Sequence, residues 1–107
     1  MSGKPVVLLA QARLEIRQTT AWHRKEGGTP LALRWAAAME AALRHIGTYP
    51  KTGSTRYATL LKLDALRFWP IDGFPYLLFY LERDTHLDVW RLLHAQRDIP
   101  AWMGGSE

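Results

Sequence analysis

A chain of 107 residues with 48% hydrophobic and 22% charged side chains has apolar surface enough for one folded core and too little length for two, so residues 1–107 read as a single domain. Formal net charge is +4, from 14 Lys and Arg against 10 Asp and Glu, which leans toward an acidic partner without requiring nucleic acid. Cysteine is absent, and that excludes a disulfide framework, thiol catalysis and a cysteine-ligated zinc site.

Pro5 to Ala10 reads as a short strand. Its apolar run, Val6 to Ala10, is too short for a signal-peptide core or a membrane span, so the expectation is a soluble cytoplasmic protein without membrane contacts. From Gln11 to Glu26 the period becomes helical, with Ala12, Ile16, Thr19, Thr20 and His23 on one side, and Gly27-Gly28 ends the run. Thr29-Pro30 supplies an N-cap and a first-turn proline for a second helix that reaches about Thr48. Ala32, Trp35, Ala36, Met39, Ala42, Leu43 and Ile46 form its wide apolar face. A short glycine-containing link between two such helices predicts an antiparallel hairpin.

Tyr49 to Ala58 carries Pro50, Gly53, Ser54 and Thr55 and reads as a loop. Leu66 to Ile71, Phe74 to Glu82 and His86 to His94 are aliphatic and aromatic, and Asp72-Gly73 and Arg83-Asp84-Thr85 separate them as turns, which predicts an antiparallel meander. In the middle strand Leu77, Phe79 and Leu81 are expected beneath the helices, leaving Tyr76, Leu78 and Tyr80 on a more open face. Ile99 to Met103 predicts a helical turn, followed by a frayed Gly104 to Glu107. The resulting class is α+β in the order β-α-α-β-β-β, a helical hairpin packed on one face of an antiparallel sheet.

The run from Leu66-Arg67-Phe68-Trp69-Pro70 through Phe74-Pro75-Tyr76, followed by Trp90-Arg91-Leu92-Leu93-His94-Ala95-Gln96-Arg97-Asp98-Ile99-Pro100, resembles the C-terminal half of ParE-type toxins in the RelE/ParE superfamily. Ala12, Glu15, Ile16 and Trp22, then Arg34-Trp35 and the Pro50-x-x-Gly53 spacing, are similar in a looser way, so the resemblance covers nearly the whole chain. It implies a small RelE/ParE-like fold and the toxin of a type II pair, bound by a cognate antitoxin, ParD-like or other, in a hetero-oligomer. It further implies a growth-arresting action on DNA gyrase, contact with operator DNA only through the antitoxin, and no cofactor.

Strand parity offers a separate argument about sites. Arg67, Tyr76, Tyr80 and Arg91 converge on the open face if the register permits, and Arg97 and Trp102 follow close by in the chain. Arginines interleaved with aromatic rings suit phosphate contacts or an interface anchor, so these six residues form the candidate target-binding set. The competing view is that the arginines lie across the sheet or pair with carboxylates, and that Arg97-Asp98 makes a local ion pair or caps a turn. Leu14, Ala21, Trp22 and Leu33, on helix exteriors, are the candidate antitoxin-binding set.

His94 has the parity of Leu92 and reads as structural, and His23, His45 and His86 lack metal-ligand spacing, so neither a catalytic residue nor a metal site is assigned. The chief alternative is ribosome-dependent mRNA cleavage of the RelE type. That chemistry needs a proton-transfer pair among several cations, and Lys62, Arg67 and Arg91 supply only the cations. A non-toxic module kept for antitoxin binding is a third reading.

Overall fold

Gly28 divides the helical layer. The computed structural model describes residues 3–104, and in it helix α1 (Ala10–Thr48) is broken at Gly28, whose φ of 71° and ψ of −169° belong to a region that side chains with a Cβ resist. Pro30 follows in the first turn of the second arm, where its missing N–H costs no helical bond. The arms fold back on each other: Trp35 Nε1–H donates to Thr20 Oγ1 at 3.0 Å, and the His23 ring stacks on the Trp35 indole with centroids 4.7 Å apart. On the second arm the buried residues are Ala32, Trp35, Met39, Ala42 and Ile46, the spacing of a single helical stripe. Ala36, expected on that face, is exposed, because it sits about 100° round the helix from Trp35.

Four strands form the sheet, β1 (Val6–Leu8), β2 (Leu66–Pro70), β3 (Tyr76–Glu82) and β4 (Leu87–His94), in the order β1-β4-β3-β2. The last three make the expected antiparallel meander. β1 adds in parallel to the outer side of β4, with Val6 opposite Leu87 and Leu8 opposite Val89, so the sheet as a whole is mixed. The helical hairpin between β1 and the other strands is a crossover long enough for that geometry.

Both sheet faces are covered, and the sides are the reverse of those expected. Leu78 and Tyr80 pack with Trp35, Met39, Ala42 and Ile46 under α1, and Tyr76 lies against them. Phe79 and Leu81 face away from α1 and join Ala58, Leu66, Leu93, Ile99 and Met103, with Leu77 packed alongside. This second cluster is roofed by the segment 55–65 and by the short helix α2 (Ile99–Gly104). Of the expected frayed tail, Gly104 closes α2, and residues 105–107 lie outside the described residues.

A bulge resets the parity of β4. Phe79 faces Arg91 and Tyr80 faces Val89, so Trp90 is the extra residue. Val89 consequently sits under α1 while Leu93 belongs to the opposite cluster, although the two are an even number of positions apart.

Candidate functional site

The six proposed target-binding residues do not converge on one open surface. Arg67 and Tyr80 are opposite each other on β2 and β3, and together they hold the loop after α1. Arg67 Nη1 donates to the carbonyls of Gly53 (2.8 Å) and Lys51 (3.1 Å). The Tyr80 hydroxyl donates to the Pro50 carbonyl at 2.7 Å and accepts from the Gly53 N–H at 3.1 Å. Tyr80 is fully buried, and desolvation raises its phenol above the ordinary value of 10.0. Gly53 has to be glycine here, since a Cβ would run into the Tyr80 hydroxyl.

Arg91 is on the other side of the bulge and is 7% exposed. Its Nη2 donates to Glu15 Oε2 at 2.6 Å, its Nε to the same oxygen at 2.9 Å, and its Nη1 to the Trp102 carbonyl at 3.3 Å. Glu15 Oε1 also accepts the Leu92 backbone N–H at 2.9 Å. A single carboxylate on α1 therefore joins a strand edge, a buried guanidinium and, through it, the C-terminal helix. Glu15 stood in the sequence only as part of the family pattern. The available signal was a carboxylate adjoining the core position Ile16, facing an arginine in an otherwise apolar strand.

Arg97 and Trp102 are the pair that the structure does bring together in the open. The Arg97 guanidinium lies 4.0 Å from the Trp102 ring centroid, and Trp102 is 45% exposed. Asp98 makes no ion pair with Arg97. Its Oδ1 accepts the Ala101 N–H at 3.4 Å and caps the start of α2. Tyr76 is half-buried, with its ring edge-on to His94 at 5.1 Å and to Trp35 at 5.3 Å. His94 is opposite Tyr76 in the sheet and sets its ring against the Tyr76 ring.

These residues border a groove of about 390 Å³ between the first arm of α1 and the end of β4, lined among others by Gln18, Trp22, Tyr76, His94, Arg97 and Trp102. Trp22 is 53% exposed. Leu14 and Ala21 are exposed on the flank of the same arm, whereas Leu33, also exposed, belongs to the second arm. Lys62 is in the loop before β2 with a φ of 57°, while the Arg67 guanidinium is bound to the loop after α1 and that of Arg91 to Glu15, so these two arginines serve different parts of the fold. Among the described residues no group of three or more His, Asp or Glu is placed to hold a metal ion, and no helix is long and apolar enough to cross a membrane.

A helical hairpin laid on a four-stranded mixed sheet, with an aromatic and cationic groove at the end of the sheet, defines a small α+β domain. The family described as the ParE toxin of the type II toxin–antitoxin system parDE matches residues 6–99, and the chain belongs to that family. In structure it is similar to a chain of the chromosomal ParDE TA system from P. aeruginosa, with a TM-score of 0.73, 9% identity, and coverage of 90% of this chain and 100% of that one. No curated protein matches the sequence significantly.

Proposed function

We propose that the chain arrests growth by binding DNA gyrase without catalysing a reaction on it, and that a ParD-like antitoxin encoded beside it neutralises it in the cytoplasm. The family match over residues 6–99 carries this reading. The exposed Arg97–Trp102 pair supports it as the target contact, because arginine and tryptophan supply much of the energy at protein interfaces. Leu14, Ala21 and Trp22 on the first arm, with Leu33 on the second, offer apolar surface to an antitoxin segment that folds on contact. Toxin and antitoxin form a hetero-oligomer, and operator DNA is reached only through the antitoxin.

The test is a side-by-side assay of the purified protein. It is expected to block gyrase supercoiling and to accumulate cleaved DNA complexes while leaving ribosome-bound mRNA intact. Codon-dependent mRNA cleavage would replace this reading with the RelE-type one, and inertness in both assays, with growth unaffected by expression, would favour a binding module.

A further inference from the structure

Both members of the exposed Arg97–Trp102 pair hang from β4 by a backbone group. The Arg97 N–H donates to the His94 carbonyl at 3.1 Å, and the Trp102 carbonyl accepts Arg91 Nη1 at 3.3 Å. The helix between these two ties needs outside support, because α2 has only six residues and a helix that short is unstable in water by itself. Ile99 and Met103 supply part of that support by packing in the cluster on the side of the sheet away from α1. Apolar burial is not directional, so it holds α2 against the sheet without fixing how α2 is turned. A hydrogen bond is directional. The Trp102 carbonyl is one of the last four in its helix, which have no partner within the helix, and an arginine at that end satisfies it.

The Arg91 guanidinium can aim α2 because it is itself held still. Its Nε and Nη2 donate to Glu15 Oε2 at 2.9 and 2.6 Å, and Glu15 Oε1 in turn accepts the Leu92 N–H at 2.9 Å. With two nitrogens of a rigid planar fork fixed in this way, the third, Nη1, points in one direction. Lysine would keep the charge opposite Glu15, but its single flexible ammonium has no fork with which to serve the carboxylate and the carbonyl together.

We infer that Arg91, set by Glu15, is a positioning residue for the target contact. It orients the last turn of α2 so that the Trp102 ring meets the Arg97 guanidinium, 4.0 Å from the ring centroid, before any target arrives. The ordering of these two side chains is then met on folding rather than on binding, which raises affinity without adding a contact. This role rests on the reading of the Arg97–Trp102 pair as the target contact and adds to it the residues that organise the pair.

Arg91→Lys is the test, with every measurement made well below the melting temperature of the variant. In nitrogen-15 spectra of the full chain, the Trp102 indole N–H and the Arg97 Nε–H are expected to move toward random-coil positions. The Trp102 amide, bonded to the Asp98 carbonyl at 3.1 Å, is expected to exchange about tenfold faster or more through local opening of α2. Tyr80→Phe is the control for general destabilisation, since it removes hydrogen bonds on the α1 side of the sheet and should leave the α2 signals in place. Parental α2 signals in Arg91→Lys, or equal movement of them in Tyr80→Phe, would overturn the inference.

Gyrase binding separates this role from the reading beneath it. Trp102→Ala removes the ring and keeps the carbonyl, whereas Arg91→Lys keeps the ring and frees the carbonyl. Each is expected to weaken binding about tenfold, and the double variant to bind no more weakly than Trp102→Ala alone, because Arg91 acts through Trp102. Independent losses that combine to about a hundredfold would overturn the positioning role while leaving the target contact standing. Full gyrase binding by Trp102→Ala would overturn the target contact and the positioning role together, whatever the spectra show.

Discussion

Arg91 Nη2 lies 2.6 Å from Glu15 Oε2, and the two side chains are 8% and 12% exposed. Removing one member of such a pair leaves the other charge poorly solvated, which typically costs about 3–5 kcal/mol. Arg91→Ala is therefore expected to act mainly on stability, through the loss of Glu15, Leu92 and Trp102 together. Urea unfolding of Arg91→Ala, Glu15→Gln and the double variant measures it. A double variant less destabilised than the sum of the singles is expected. An Arg91→Ala protein as stable as the parent would show that the pair contributes nothing to the fold.

This relationship also shows where sequence reading stopped. The helical hairpin was legible because Gly27-Gly28-Thr29-Pro30 punctuates it and Trp35, Met39, Ala42 and Ile46 repeat at helical spacing. The meander was legible from its turns. The choice of face was not, because β3 is buried on both sides and its alternation of leucine with aromatic rings carries no sign. Tyr80 looked amphipathic, yet its hydroxyl is spent on Pro50 and Gly53 across 30 and 27 residues of chain, a pairing that no local pattern announces. Parity failed for Arg91 because a bulge at Trp90 adds one residue. Arg97 and Trp102, close in sequence on the turn into α2, met in the open as expected, while Arg67 and Tyr80 met as parity predicts but beneath the loop after α1.

Tyr80→Phe should expose the cost of that long-range clamp. The ring still fills the core under α1, but the Gly53 N–H and the Pro50 carbonyl lose their partner in a buried setting, at about 1–3 kcal/mol. Thermal melts give the total, and faster hydrogen exchange at the Gly53 amide localises it. An unchanged Gly53 exchange rate would mean that Arg67 and the Ser54–Phe68 bridge hold the loop without the tyrosine.

Acid should weaken the fold through two carboxylates at one end of the sheet. Hydrogen bonds from Lys4, then Lys51, hold Glu82 below its ordinary value of 4.5, and a hydrogen bond from Arg83 is the largest cause holding Asp88 below 3.8. A carboxyl with a depressed folded pKa contributes stability that is fully present above its unfolded value and is lost as pH falls through the folded one. Glu82→Gln is thus expected to melt lower than the parent near about pH 6, with the gap closing as pH falls below the ordinary carboxylate value and through the depressed folded one. A constant gap between the two melting curves across that range would remove Glu82 from the acid response.

Arg97→Ala and Trp102→Ala separate target engagement from folding, which Arg91 variants do not. The Arg97 guanidinium rests on the Trp102 ring in the open, with no hydrogen bond or ion pair from that guanidinium to the other described residues, so truncating it should leave the melting temperature within a few degrees of the parent. If the pair anchors the target, each truncation is expected to weaken gyrase binding by about 1–3 kcal/mol and to relieve growth arrest in step. Leu78→Ala, at 0% exposure beneath α1, is the contrasting variant, expected to lose about 2–5 kcal/mol of stability and to relieve arrest by unfolding. The two routes are told apart by pairing each growth assay with a melt of the purified variant. Arg97→Ala and Trp102→Ala proteins that melt normally and still arrest growth in full would move the target contact off this groove, to the exposed flank of α1 around Leu14 and Ala21.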